Sequence, residues 1–270
     1  MSDSFAADWL ALRATADARA RASTLVDRLA PVLSRRAGGC VLNITDLGAG
    51  AGNNLAYLAP MLADHGLARQ RWRLVDADAA LLAKAAERRM PDGIAVETAE
   101  ADLAADLDAS IGRETDLVTA SALIDLAGSA WIERLAAAVF ARRLPVLIVL
   151  SYDGRQAWAP PHPADDAILA AFNTDQRRDK GLGPSLGPDA HDYLYQRLVE
   201  AGFIVEDAAS DWTLSAPADA ALIAELAKGT GQALEPHLGA EARDWATARQ
   251  TAERAMIGHR DLLAWPPDGA

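Results

Sequence analysis

Residues Asn43 to Asn54 read N-I-T-D-L-G-A-G-A-G-N-N, and Leu55, Ala56, Tyr57 and Leu58 follow. The apolar run from Cys40 to Leu47, bounded by Gly38 and Gly39, has the character of a buried parallel strand. Gly48, Gly50 and Gly52 then leave the backbone bare, which permits positive φ and close approach of a ligand to the chain. Leu55, Leu58 and Leu62 recur at helical spacing, so the unit reads strand, glycine turn, helix. Such a turn points N–H groups and the positive end of a helix at whatever sits above the strand.

Glycine triplets also serve turns, caps and bulges, and Asp46 makes this one more informative. A carboxylate just before the glycines would repel a pyrophosphate resting on the helix N-terminus, and suits a ligand that carries positive charge. Arg71 to Asp76, R-W-R-L-V-D, is a second compact strand ending in an acid, 24 residues beyond Gly52. Dinucleotide folds place a ribose-binding acid about 20 residues on, and a carboxylate can accept both hydrogens of a ribose diol. Asp78 stands directly ahead of A-A-L-L-A-K-A-A and is expected to cap that helix, which leaves Asp76 as the ribose ligand.

Working outward, strand and helix alternate, which implies a parallel sheet with helices on both faces. Strands are expected at 40–47, 71–76, 94–99, 116–120 and 144–151, with helices near 53–65, 78–89 and 129–142. His191 to Gly202 reads as a helix stopped by glycine, followed by strands at 203–205 and 212–214. Residues 4 to 36 read as helical and alanine-rich, with Pro31 expected to divide them. This segment packs an apolar stripe on the sheet, or also covers a ligand, with Arg13 reaching a carboxylate. Ala218 to Trp265 is helical by pattern, broken at Gly229-Thr230-Gly231, and either packs on the domain or forms homodimer contacts.

The 270 residues are 51% hydrophobic and 24% charged, enough for a packed core. A net charge of −12 disfavours nucleic acid and anionic membranes as partners, since the arginines form separated pairs rather than one basic stripe. Cys40, the one cysteine, is expected in a buried strand, and no Cys-based zinc cluster or other persuasive metal-ligand spacing is present. With no signal-like layout and no long apolar run, the expected location is the cytoplasm.

The run D-L-G-A-G-A-G, with Asp76 beyond it, resembles motif I and the following acid of the class I S-adenosylmethionine-dependent methyltransferases, and the resemblance covers about residues 40 to 215. It implies an α/β fold with a doubly wound, mostly parallel seven-stranded sheet whose last strand is antiparallel. The layout would be an N-terminal helical lid over 1–39, a Rossmann-like domain over 40–215 with an insert at about 155–190, and C-terminal helices over 216–270. The implied cofactor is S-adenosyl-L-methionine. The turn Gly48, Ala49, Gly50, Gly52 and Asn53 would face its methionine portion, with Asp46 beside the ammonium, and Asp76 with Ala77 would meet the ribose. Asp102 and Leu103 occupy the slot that meets the adenine, unless Asp102 only caps a helical turn. Ser121 and Ala122 should line the crevice beneath the cofactor, beyond the carboxyl ends of the strands.

The implied reaction is in-line methyl transfer to a small-molecule acceptor, in which alignment and, for a hydroxyl or acidic carbon, proton removal are the protein's tasks. No universal catalytic residue follows. Asp125 is a candidate base or orienting group, or else an N-terminal carboxylate of the next helix; Tyr152 and His191 are further candidates, His191 serving otherwise as a cap or surface residue. In the insert, Asn173, Arg177, Arg178 and Lys180 could recognise an anionic substrate or complement a helix dipole. Two other readings stay open: a non-catalytic protein of the same fold that binds the cofactor or a partner, and a nicotinamide-dependent oxidoreductase. Asp46 and the absence of a Tyr-x-x-x-Lys pair disfavour the second.

Overall fold

The computed structural model describes residues 3–267. Two helices come first, α1 (Asp3–Ala20) and α2 (Ser23–Ala37). The break falls at Arg21-Ala22, and Pro31 lies inside α2, against the expectation that it would divide the segment. The cause of the break is tertiary. Arg21 turns inward to donate to Asn54 Oδ1 at 2.6 Å, and the Ala22 N–H donates to Asp261 Oδ2 at 2.9 Å.

Strand and helix then alternate as the pattern predicts. The elements are β1 (Leu42–Leu47), α3 (Asn53–Asp64), β2 (Gln70–Asp76), α4 (Ala79–Ala86), β3 (Ile94–Glu100), α5 (Leu103–Ser110) and β4 (Leu117–Ser121). Next come α6 (Ser129–Ala141), β5 (Val146–Ala159), α7 (Asp165–Asp175), α8 (Ala190–Glu200), β6 (Ile204–Ala209) and β7 (Trp212–Ser215). The chain closes with α9 (Ala220–Leu238), α10 (Ala240–Arg249) and β8 (Arg254–Trp265). Cys40 precedes β1 and is exposed, contrary to its expected burial.

The sheet order is β3-β2-β1-β4-β5-β8-β6, with β7 paired to β8 off that path. β1 to β5 run parallel, while β8 is antiparallel to β5, β6 and β7. The sheet thus has eight strands rather than the expected seven. The expected antiparallel strand is not Trp212–Ser215 but Arg254–Trp265, inside the segment whose pattern reads as helical. Leu262, Leu263 and Ala264 are consecutive and wholly buried. A strand with neighbours on both edges and cores on both faces needs no alternation of apolar and polar residues, so its Leu-Leu-Ala run looks helical.

The helix α9 also runs straight through Gly229-Thr230-Gly231. A methyl group on Gly231 would lie 2.4 Å from Ala246 Cβ, so this glycine lets α9 and α10 approach closely and does not end a helix. Apolar layers fill both faces of the sheet. A third apolar cluster joins β7, α9 and α10 to the outer ends of β5 and β8. That third cluster borders the region where the strands deliver their carboxyl ends.

Candidate functional site

At the end of β1 the chain turns through Gly48, Gly50 and Gly52, all at positive φ. Space as well as φ dictates two of them. A Cβ on Gly48 would sit 2.9 Å from Leu123 Cδ1, and one on Gly50 would sit 3.2 Å from Leu10 Cδ1. The turn is therefore packed from below by the β4 exit and from above by α1. Asp76, at the tip of β2, accepts from the Gly50 N–H at 2.7 Å and from the Asp78 N–H at 3.0 Å. Asp78 caps α4 as expected, accepting from the N–H groups of Ala80 and Leu81.

Helix α1 is anchored by Asn53, whose amide donates to the Leu10 carbonyl at 2.8 Å and whose oxygen accepts from Arg88. Between lid and turn lies a cavity of about 270 Å³, walled by Trp9, Leu10 and Arg13 from α1, by Gly48 to Ala51, and by Asp76, Ser121 and Ala122. Ala122 is held at φ 51°, a region L side chains rarely adopt, with its N–H on the Val149 carbonyl. Its backbone bends there beneath the cavity.

Asp46 lies one layer deeper and does not itself line this cavity; Asn54 does. The Asn54 amide donates to Asp46 Oδ1 at 2.8 Å, and its oxygen takes the Arg21 guanidinium, while Asp46 Oδ2 has no partner. Burial pushes the Asp46 carboxyl up to about 7, opposed by the Asn54 hydrogen bond and by Arg21. Asp46 thus influences the cavity floor through Asn54 rather than by contact.

A second cavity, of about 300 Å³, adjoins the first and shares Trp9, Arg13 and Ala122 with it. Its walls are aromatic: Tyr152 and Trp158 from β5, Phe172 from α7, Trp212 from β7, and Trp9. Arg13 is stacked 5.0 Å above the Trp212 ring and ion-paired to Asp17 at 2.9 Å, while Trp212 Nε1 donates to the same carboxylate at 3.0 Å. Trp9, Arg13 and Asp17 are spaced by four and share one helix face, which carries the lid's contribution to both cavities.

Besides Arg13, three titratable groups among the described residues line the second cavity. Asp125, in the 3₁₀ turn 124–126, is 9% exposed; its Oδ1 has no hydrogen-bond partner, and burial raises its carboxyl above the usual range. Tyr152 donates from its hydroxyl to Asn173 Oδ1 at 2.8 Å and accepts from Gln156 at 3.0 Å, and burial raises its pKa. His259, on β8, has Nδ1 3.0 Å from the Ile257 carbonyl. A carbonyl only accepts, so Nδ1 carries the proton and the lone pair is at Nε2. Burial, assisted by Arg13, pushes this imidazole down to about 4 and keeps it neutral near pH 7.

The structure gathers Arg13, Gly48, Ala49, Gly50, Asn53, Asp76, Ser121 and Ala122 around the first cavity, and Asp125 and Tyr152 around the second. Gly52 caps α3, under Arg88, and Ala77 is exposed beyond Asp76. Asp102 caps α5 through the Ala104 N–H, and buried Leu103 gives its carbonyl to Trp131; neither lines the cavity. His191 is set apart, fully buried, 3.4 Å from Asp207 and lining a separate polar groove with Arg260.

The insert's cations do not line either cavity, although Lys180 lies near enough to Asp125 for their charges to interact. Arg177 pairs with Asp189, Arg178 with Asp175, and Lys180 with the Gln176 amide oxygen, while Asn173 serves as the support of Tyr152. The insert residues that do line the second cavity are Gln156, Trp158, Phe172 and Gln176. Sequence reasoning missed these, Asn54, His259 and the α1 residues Trp9, Leu10 and Asp17 beside the expected Arg13. The four-residue spacing on α1 was a usable signal; nothing local marked His259, which lies on the strand mistaken for a helix. Among the described residues no cluster of His, Cys, Asp or Glu could hold a metal ion, and no helix is long and apolar enough to cross a membrane.

No family model matches this chain, and no curated protein is similar to it in sequence. Solved structures are similar in fold. A cyclopropane-fatty-acyl-phospholipid synthase-like protein from Lactobacillus casei superposes with a TM-score of 0.52 at 15% identity, over 94% of this chain and 99% of the other. The TehB protein of Haemophilus influenzae matches with a TM-score of 0.46 at 13% identity, over 88% and 62% of the two chains. The plantazolicin methyltransferase BpumL, solved in complex with S-adenosylhomocysteine, matches with a TM-score of 0.44 at 11% identity, over 96% and 86%. The chain shares its fold with the cyclopropane-fatty-acyl-phospholipid synthase-like protein: a mostly parallel sheet flanked by helices.

Proposed function

We propose that this chain is an S-adenosylmethionine-dependent methyltransferase acting on a small molecule, with the donor in the glycine-turn cavity and the acceptor in the aromatic cavity beside it. The observation that carries this reading is the adjacency of the two cavities, which share Trp9, Arg13 and Ala122. Direct displacement needs donor and acceptor aligned at one point with water kept out, and holding two reactants so can supply a large part of the barrier reduction.

The residues present fit the donor. The Asp76 carboxylate, fixed by two backbone N–H groups, has oxygen lone pairs left for a ribose diol. The turn from Gly48 to Ala51 presents backbone without side-chain bulk. Arg13 can take a carboxylate in exchange for part of its pairing with Asp17, and the unpartnered Asp46 oxygen lies beneath the floor. When bound, the donor supplies an activated methyl group on a sulfonium. The protein's own work is to orient it, to close α1 over it, and to present the acceptor from the aromatic side.

Isothermal titration with S-adenosylmethionine, S-adenosylhomocysteine and NAD tests the reading. Binding of the first two and not of NAD is expected; NAD binding alone would return the site to the oxidoreductase reading. Turnover of labelled methyl donor on a pool of small metabolites separates a transferase from a protein that only binds the cofactor.

A further inference from the structure

The second cavity holds a buried acid without a partner. Asp125 is more than nine-tenths buried, Oδ1 has no hydrogen-bond partner among the described residues, and the residue lines the aromatic cavity. A buried carboxyl with an unpaired oxygen is costly to keep, and this one sits in the wall of a cavity, where a ligand's donor can pair with it. The ligand must present a hydrogen to the carboxyl.

Its charge is bounded by what faces Asp125 from the surrounding elements. Arg13 from α1 and Lys180 beyond α7 bring positive charge, while Tyr152 from β5 and His259 from β8 are neutral near pH 7. An alkylamine arrives protonated, beside Arg13 and the sulfonium side of the cavity pair. A carboxylate acceptor meets the Asp125 charge at short range. A neutral hydroxyl on an apolar ring suffers neither penalty: it can donate to Asp125 while its ring packs on Trp158, Phe172 and Trp212.

We propose that the acceptor is an apolar, ring-bearing alcohol or phenol and that Asp125 is the catalytic base that takes its proton during methyl transfer. This rests on the reading of the donor cavity given above. The acceptor O–H bond breaks, with its proton passing to the Asp125 carboxylate. The oxygen lone pair forms the new O–CH₃ bond, and the methyl–sulfur bond electrons return to sulfur, leaving a neutral thioether. Burial of the Asp125 carboxyl makes it a stronger base than an exposed aspartate, whereas His259 is a weaker one.

Three probes sharing one ring frame test this: 2-naphthol, 2-naphthylmethylamine and 2-naphthoate. Each is titrated into the full chain, with and without S-adenosylhomocysteine, by quenching of tryptophan fluorescence. The naphthol should bind about tenfold tighter than the other two, and Asp125→Leu should abolish that preference. With labelled methyl donor and 2-naphthol, Asp125→Asn should lose about 100-fold or more in kcat with KM within about threefold, whereas His259→Gln should lose less than about tenfold. Affinity for S-adenosylhomocysteine should stay within about twofold in each variant, since Asp125 is not in the donor cavity. A preference for the amine or the naphthoate, an unchanged kcat in Asp125→Asn, or naphthol that binds without being methylated would overturn the inference. Failure of the unaltered chain to bind S-adenosylhomocysteine would overturn the donor site and this step with it.

Discussion

The two cavities lie side by side and are built in opposite ways. The cavity proposed for the donor is closed by α1 but takes the rest of its wall mainly from short contiguous stretches: a glycine turn, the tip of β2, and the exit of β4. Its polar partners are largely backbone groups, such as the Gly50 N–H on Asp76. The aromatic cavity takes single side chains from the lid, β5, α7, β7, α9 and β8. The first can be specified locally, because a turn is a local conformation; the second exists only after distant segments have packed. Substitutions should therefore behave differently in the two regions.

The largest effect is expected where they meet. Trp212 packs edge-on to Trp9 and tilted against His259, donates to Asp17 and lies under Arg13. Trp212→Ala should cost about 3–5 kcal/mol of stability by thermal melting, because a buried tryptophan leaves a large hole. Measured on the folded variant at low temperature, S-adenosylhomocysteine binding should weaken as well, since Arg13 loses the surface that positions it. Unchanged affinity would show that the lid is set by the donor cavity alone.

Asp76→Ala tests the donor side in isolation. It strands two backbone N–H groups and removes the diol acceptor, so affinity for S-adenosylhomocysteine should fall by about 1–3 kcal/mol in a titration. Binding of a naphthol probe should hardly change. Equal binding of the cofactor product before and after substitution would remove Asp76 from the site.

The pH dependence of stability should carry opposite signs in the two regions. Asp46 has its pKa raised from 3.8 to about 7 on folding, so its stabilising contribution is complete below about pH 4 and is lost as pH rises through 7. His259 is lowered from 6.5 to about 4, so the folded state binds its proton less tightly and its contribution is complete above pH 6.5 and lost on acidification toward 4. Between pH 4.5 and 6.5 the two slopes, each at most about 1.4 kcal/mol per pH unit, oppose one another. Melting curves across that window should rise more steeply with pH in Asp46→Asn and fall with pH in His259→Gln. Parallel curves would place the titrating groups elsewhere.

The smallest effect belongs to Tyr152→Phe, which removes one hydroxyl held by Asn173 and Gln156. A loss of about 1 kcal/mol is expected in denaturant titration, with donor affinity intact. A change in cofactor affinity would couple the cavities more tightly than their shared wall implies.

Much of the fold was legible from periodicity. β1 to β4, α3, α4 and α6 fall within a few residues of their expected positions, because most carry a regular apolar pattern with a glycine, proline or capping acid close to their ends. Asp78 behaves as its position ahead of an apolar helix requires. What misled were residues whose meaning depends on a neighbour. Gly231 reads as a helix breaker but admits Ala246, and Pro31 reads as a break that an inward-turning Arg21 makes elsewhere. Arg177 and Arg178 look available for a substrate, yet each is taken by a nearby aspartate.

The linear chain by itself determined the strand–glycine–helix unit, the acid at the end of the next strand and the alternation that makes the sheet, since each follows from propensities acting over a few residues. Only tertiary packing decided that Arg254–Trp265 slides between β5 and β6, carrying His259 to the aromatic cavity, and that Asn54 stands between Asp46 and the donor cavity. A central strand is stabilised by ladders on both edges and cores on both faces. None of those four partners is adjacent to it in sequence, so no local pattern could announce it.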